Sequence, residues 1–386
     1  MTRISLKIVM ATLMMQVSAS AATLNYVFTE IDTSEGDVTF FGSPAINNNG
    51  LVAVSTFLDD GGEAVFSGSG GPVMRVDDSE GDFQFFGPAA VNDNGDIAFF
   101  ASLDAGGATI NVNSGGTTTT VADTTGVFSS FVAGIVSLNN NGAVSFFSQL
   151  AAGGEAINVV DNSGVTTIAD TSGDFASFIG NAVPINSNGE VAFIANLGAG
   201  GQSVNIGDGS STVTIADTSG DFDTFGQVAS VNDAGQVAFS ASLDDGTRSL
   251  SLSDGTMIET VVDMDDGFLF FADPVLNNNG DVAFLAVENT GVFSINVVSE
   301  GVLSTVVSVG DTLGDLVVAS LILGPGGLND AGDLTFLASF TNDTQGVFVA
   351  SISEVPLPAA FSVFLLGLAG IAGAKRKSKT NARHFS

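Results

Sequence analysis

The chain has 386 residues, of which 42 are acidic, nine are basic and 31 are Phe, with no Cys and no Trp. The absence of Cys excludes a disulfide framework and thiol chemistry. Between Thr23 and Glu354 the only cations are Arg75 and Arg248, so that stretch, which holds all 42 acids, carries a net charge of −40 and excludes a nucleic-acid backbone as partner.

Arg3 and Lys7 precede an apolar run from Ile8 to Val17 and the small residues Ala19-Ser20-Ala21. This order reads as a secretory signal peptide over residues 1–22, cut near Ala22 or Thr23. An N-terminal membrane anchor is the alternative, but the run is short for a bilayer span.

A tandem repeat fills residues 23–353. Asn-x-x-Gly followed by a short apolar strand recurs at Asn47/Gly50, Asn92/Gly95, Asn139/Gly142, Asn186/Gly189, Asn232/Gly235, Asn277/Gly280 and Asn329/Gly332, in steps of 45, 47, 47, 46, 45 and 52 residues. A period of this size with several strands per unit predicts a propeller or another repeat array. In the second unit the predicted strands are Pro88 to Asn92, Asp96 to Asp104, Ala108 to Val112 and Thr117 to Ala122, joined by Gly-, Asn- and Asp-rich turns. The second strand alternates: Ile97, Phe99, Ala101 and Leu103 share one face, and the other face starts with a small residue, Ala98. One bulky and one small face suit a sheet packed between two neighbours. The Asn and Gly of each turn have a structural reading, because Gly accepts positive φ and Asn caps its own turn; a ligand site repeated seven times is the alternative.

Six fourth strands follow units one to six: Val73 to Val76, Thr117 to Ala122, Val165 to Ala169, Thr212 to Ala216, Met257 to Val262 and Leu303 to Val307. Unit seven stops after its third strand, Gly346 to Ile352, and an unassigned strand, Leu24 to Ile31, stands at the start of the repeat region. The prediction is therefore an all-β, seven-bladed propeller of four-stranded antiparallel blades, with the N-terminal strand completing the last blade and closing the ring. An open β solenoid is the alternative. Unit seven also lacks the Phe-x-x-Phe found at Phe128/Phe131, Phe175/Phe178 and Phe222/Phe225, and its longer segment, Leu316 to Gly327, is expected to line one end of the ring.

After Ser353 the composition changes. Val355-Pro356-Leu357-Pro358-Ala359 leads into an apolar run from Ala359 to Ala374, and Lys375, Arg376, Lys377 and Lys379 follow. As a helix that run would reach about 24 Å, slightly short of a hydrocarbon core, with its basic end cytoplasmic. These residues resemble the PEP-CTERM class of bacterial sorting signals in its VPLPA variant. The resemblance implies processing by an exosortase-type transpeptidase, a transient membrane anchor over 354–386, and delivery to the cell surface or its matrix. The repeats are in turn similar to a bacterial surface-protein group with tandem Asn-x-x-Gly-x-x-Ala-Phe motifs. Asn92 to Phe99, Asn186 to Phe193, Asn232 to Phe239 and Asn277 to Phe284 match in full, whereas unit one ends in Val54, unit three has Ser145 and unit seven has Thr335. That group supplies no catalytic residues.

The lone histidine, His384, lies in the tail, so residues 23–353 contain no imidazole and no cysteine for nucleophilic catalysis or for zinc or copper. The glycines sit in hairpins rather than in a strand–loop–helix phosphate cradle. Calcium is the candidate ion, through the Asp-x-x-Gly-Asp loops at Asp78/Asp82, Asp170/Asp174, Asp217/Asp221 and Asp311/Asp315, since hard cations take oxygen ligands; the structural alternative is that Asp and Gly simply favour turns. The expected function is a non-enzymatic structural or interaction propeller at the cell surface or in an extracellular polysaccharide matrix. A glycan- or calcium-dependent binding module is the first alternative, and a glycoside hydrolase working with carboxylates alone is the second.

Overall fold

The computed structural model describes residues 25–34, 37–132 and 135–353. The expected signal peptide, Leu24, and the sorting segment with its membrane stretch and basic tail lie outside these residues. Within them, seven four-stranded antiparallel blades stand around one axis, and the only helix is a single 3-10 turn, Met264–Asp266. The open solenoid is overturned.

Blade 2 shows the common plan. Its second, third and fourth strands are Ile97–Leu103, Ala108–Ser114 and Thr117–Asp123, close to the sequence reading. Its innermost strand differs. It comes in two pieces, Phe83–Phe86 and Ala90–Val91, and both pair with Ile97–Leu103. Pro88 lies in the gap between the pieces, where a residue without an N–H ends the ladder.

The Phe-x-x-Phe motif belongs to the first piece. Two residues three apart point to opposite faces of a regular strand. Here a bulge between Phe83 and Phe85 restores them to one face. Phe83 and Phe86 then meet Phe99 of the second strand with ring centroids 6.2 and 5.5 Å apart. The same bulge and trio recur in blade 3 (Phe128, Phe131, Phe146), blade 4 (Phe175, Phe178, Phe193), blade 5 (Phe222, Phe225, Phe239) and blade 6 (Phe268, Phe271, Phe284).

Each trio packs against the small-residue face of the preceding blade. Phe86 and Phe99 meet Ala53 and Val65 of blade 1, and Phe131 and Phe146 meet Ala98 and Ile110 of blade 2. The core is therefore a set of inter-blade layers, as the bulky and small faces predict. Blade 7 closes the set, because Leu337, Val347 and Val349 pack on Phe41, Val52 and Val54 of blade 1.

The closing strand is N-terminal. Tyr26–Thr33 pairs antiparallel with Gln345–Ile352, from Tyr26 opposite Ile352 to Thr33 opposite Gly346. In blade 7 the longer segment forms one strand, Leu316–Leu328, whose Pro325, Gly326 and Leu328 line the axial channel. Gly324 and Gly326 are small because blade 1 presses there: a Cβ on Gly324 would stand 2.5 Å from the Pro44 carbonyl, and one on Gly326 3.0 Å from Ala45 Cβ.

Strand alternation gives the ring two distinct faces. The Asn-x-x-Gly turns and the third-to-fourth hairpins lie on one. The second-to-third hairpins and the Asp-rich crossings from outer strand to next blade lie on the other.

Candidate functional site

The seven Asn-x-x-Gly turns surround one mouth of the channel. Each leading Asn is only 2–5% exposed. The Asn Oδ1 accepts from the backbone N–H groups two and four residues on, at 2.8–3.1 Å. Its Nδ2 donates to the carbonyl of the leading Asn in the next blade. The links run Asn47 to Asn92, Asn139, Asn186, Asn232, Asn277, Asn329 and back to Asn47, at 2.7–3.2 Å. This closed ring of amides links every blade to the next and gives the leading Asn residues a structural role; in five of them, Asn92, Asn186, Asn232, Asn277 and Asn329, Nδ2 also donates to the side chain four residues on.

The glycines of these turns are not part of a site. Gly50, Gly95, Gly142, Gly189, Gly235, Gly280 and Gly332 adopt φ between 75° and 85°, where a Cβ would strain the backbone. Each donates its N–H to the carbonyl of the Asn three residues before it, at 3.0–3.2 Å, so that group is already engaged in closing the turn. None of the seven lines the cavity at the channel mouth. The structural reading of the turns follows from these bonds: the leading Asn side chains hold the turns and link the blades, with Asn47, Asn139, Asn186, Asn277 and Asn329 also lining the mouth cavity, and the glycines supply backbone conformation.

The second residue of each turn forms a shallower polar rim, lining a cavity of about 180 Å³. Asp93 accepts from Asn48 and Asn140, and Asp330 accepts from Asn48 and Asn278. At Ser187 the side chain is shorter, and its N–H donates to Asp233. Deeper in the channel, Pro44, Pro88, Pro184 and Pro325 line a second cavity of about 180 Å³.

The Asp-x-x-Gly-Asp loops lie at the opposite face. Their leading carboxylates close their own turns: Asp78 accepts from Glu80 N–H, Asp170 from Ser172 and Asp217 from Ser219. Asp311 accepts from Ser308 N–H. Bonds from the Ser172 and Ser219 side chains and then their N–H groups hold the Asp170 and Asp217 carboxyls below the usual range. The trailing Asp82, Asp174 and Asp221 use their backbone carbonyls to anchor the adjacent hairpin, and Asp315 ends the loop of blade 7. Among the described residues no group of three His, Cys, Asp or Glu side chains is gathered for a metal ion.

A different cavity opens at the junction of blades 5 and 6, on the side of the Asp-rich face. It measures about 430 Å³ and is lined by Thr224, Ser240, Ser242, Arg248, Phe270 and Asp273, among others. It arises from one column of the repeat. The fourth residue of the second strand is Phe100, Phe147, Ile194, Leu285 or Leu337 in five blades, and each fills the gap toward the following blade. Phe100 meets Phe131 at 6.5 Å, and Phe147 meets Phe178 at 5.8 Å. Blades 1 and 5 carry Ser55 and Ser240 there. In blade 1 the space is covered by Phe57 against Phe85, at 6.3 Å. In blade 5 the residue matching Phe57 is Ser242, so the gap stays open.

Polar groups converge on that gap. Asp273 Oδ1 accepts from Ser240 Oγ at 2.9 Å and from Gln227 N–H at 3.0 Å. Burial pushes the Asp273 carboxyl up, and these bonds pull it back in part. Arg248 starts the third strand, where Glu63, Glu155, Gln202 and Gln345 instead accept from a Phe N–H of the next blade. Arg248 has no acceptor to offer and lies over the Phe270 ring, 5.1 Å from its centroid. The other cation, Arg75, pairs with Asp78 at 3.3 Å, while Arg248 makes no ion pair among the described residues. Sequence reasoning missed this site; its signal was Ser240, matched only by Ser55 in a column of otherwise large apolar residues, together with Arg248 where four blades carry Glu or Gln.

No protein-family model matches the chain, and no curated protein matches it. Among solved structures, an oligogalacturonate lyase from Vibrio parahaemolyticus is similar with a TM-score of 0.54 and 10% identity, over 86% of this chain and 98% of that one. YCF48 bound to a D1 peptide has a TM-score of 0.45 at 10% identity, over 86% and 97% of the two chains. The SapL1 lectin in complex with alpha methyl fucoside has a TM-score of 0.41 at 14% identity, over 70% and 96%. At these identities the lyase likeness speaks for the fold alone, and the fold is a closed seven-bladed β-propeller.

Proposed function

We propose that this chain is an exported, non-enzymatic structural or interaction propeller, sorted through residues 354–386 by an exosortase-type transpeptidase and left at the cell surface or in its matrix. The supporting observation is the position of the two chain ends. Ser353 N–H donates to the Asn25 carbonyl at 2.7 Å, so the two ends of the described domain lie together at the face that carries the Asn turns. A tether in the tail then leaves the Asp-rich face free and turned outward. Fractionation tests the reading. The full chain should reach the surface or matrix and lose its terminus near Val355–Ala359, while a chain ending at Ser353 should be released freely. Identical distributions of the two would refute it.

A binding role is the second reading, favoured by the cavity between blades 5 and 6. Its calcium-dependent form rests on the doubled carboxylates of the crossing loops. A ligand of the native state raises its melting temperature, so a rise in millimolar calcium that chelator reverses supports calcium, and an unchanged temperature removes it.

A further inference from the structure

We propose that the cavity between blades 5 and 6 binds one neutral pyranose ring of a glycan. The inference deepens the binding reading above by naming its site and ligand class.

The cavity is specific to one junction. After blades 2, 3, 4, 6 and 7 a large apolar side chain stands at the position of Ser240, and after blade 1 Phe57 and Phe85 cover the space beside Ser55; only blade 5 has a small residue at both positions, Ser240 and Ser242. Its volume of about 430 Å³ falls within the range of small-molecule sites.

The lining chemistry narrows the ligand. A sugar hydroxyl both donates and accepts, so it needs mixed partners. Asp273 accepts, Arg248 donates, and the Ser and Thr hydroxyls do either. Phe270, 42% exposed, offers an apolar surface for the C–H face of a ring. An anionic ligand would meet Asp273 and the −40 charge of the surrounding body. A cation would meet Arg248, and an apolar ligand would leave the Arg248 guanidinium and the Thr224 and Ser242 hydroxyls without partners. A neutral polyol satisfies all of these groups at once. The cavity also opens toward the face opposite Asn25 and Ser353, which leaves it accessible when either end is held.

The test is titration of the purified full-length chain with methyl glycosides of neutral hexoses and deoxyhexoses, and with the corresponding uronates, followed by calorimetry and ligand-observed NMR. Saturable binding of at least one neutral glycoside is expected. Ser240→Phe installs the side chain that blade 2 uses at Phe100, so it should keep the circular-dichroism spectrum and melting temperature of the parent while abolishing binding. Arg248→Gln restores the residue type of Gln202, and should weaken binding about tenfold or more, the loss expected for a charged hydrogen bond, without lowering the melting temperature. Absence of saturation by every neutral glycoside up to about 50 mM overturns the proposal. So does binding that survives Ser240→Phe, or a preference for uronates. Should Ser240→Phe fail to fold, Arg248→Gln decides alone. The assay needs no export, so failure to bind leaves the sorting reading untouched, and failure to sort leaves this one standing.

Discussion

Replacing Asn139 tests whether the amide ring holds the blades together. Asn139 is 5% exposed; its Oδ1 accepts from Asn141 N–H at 3.0 Å and Ala143 N–H at 2.9 Å, and its Nδ2 donates to the Asn186 carbonyl at 2.9 Å. Asn139→Ala takes the acceptor from the N–H groups of Asn141 and Ala143, the second of them buried, and removes one of the two donors to the Asn186 carbonyl, which keeps Gly189 N–H. With a net loss of about 1 kcal/mol per bond and a further penalty for groups left dry, the cost should be about 3–5 kcal/mol. Asn139→Asp separates the two halves of the role. It keeps the acceptor for both N–H groups but turns a carboxylate toward the Asn186 carbonyl, which raises its folded pKa above the unfolded value of about 3.9. Its destabilisation is therefore full at neutral pH and shrinks as pH falls through the folded pKa, where the protonated acid donates as the amide did. The comparison variant is Asn94→Ala, which removes one exposed bond to the Asn140 carbonyl at 2.9 Å. Ala234 and Ala331 already occupy that turn position in blades 5 and 7, so its cost should stay below about 1 kcal/mol. Urea unfolding followed by far-ultraviolet circular dichroism gives all three values. An Asn139→Ala loss no larger than that of Asn94→Ala would refute the ring as a source of stability.

Deleting residues 23–34 should expose the edge of Gln345–Ile352 and yield dimers or aggregates by size-exclusion chromatography, and a peptide of those residues should restore the monomer. Phe99→Ala, at a fully buried ring, should cost about 3–5 kcal/mol in the same urea assay, whereas Phe85→Ala should cost far less because that ring is 40% exposed. Gly180→Ala places a Cβ against the Gln227 carbonyl at φ +83°, and should cost about 2 kcal/mol or more, read as a lowered urea midpoint. The Asp254 carboxyl, held at about 2 by bonds from the Thr256 side chain, Met257 N–H and Thr256 N–H, should titrate there by carboxyl NMR and move up in Thr256→Val. Its contribution to the turn is present above the unfolded pKa of about 3.9 and is lost as pH falls toward 2.

Ring closure was legible because a missing strand at one end of the repeat matched an extra one at the other, and edge pairing leaves few other uses for Leu24 to Ile31. Blade stacking was legible from alternation, since Phe99 and Ala98 face opposite neighbours. The split innermost strand was not. Period-2 patterning cannot announce a bulge, and Phe83 with Phe86, three apart, share a face only through the register shift between Phe83 and Phe85. The amide ring was half visible: Asn and Gly signalled a turn, but the link from Asn47 Nδ2 to Asn92 crosses blades, and no local rule reaches that far. The cavity between blades 5 and 6 escaped because attention to shared residues hides departures from them; Ser240 is informative only when set beside Phe100, Phe147, Ile194, Leu285 and Leu337.

The pairing of Tyr26 with Ile352 also dictates an order of events. The first strand to be synthesised has no partner until almost the last part of the domain has been made. Until then the nascent ring is an open arc with a raw margin at each end, and its last inter-blade layer, Phe41 against Val347 and Val349, cannot form. Under the proposed export, this delay would keep the chain from locking into its final shape while still in transit. The same delay leaves a long window in which two arcs can join one another, so dilution and holding chaperones should favour the yield of single, completed rings.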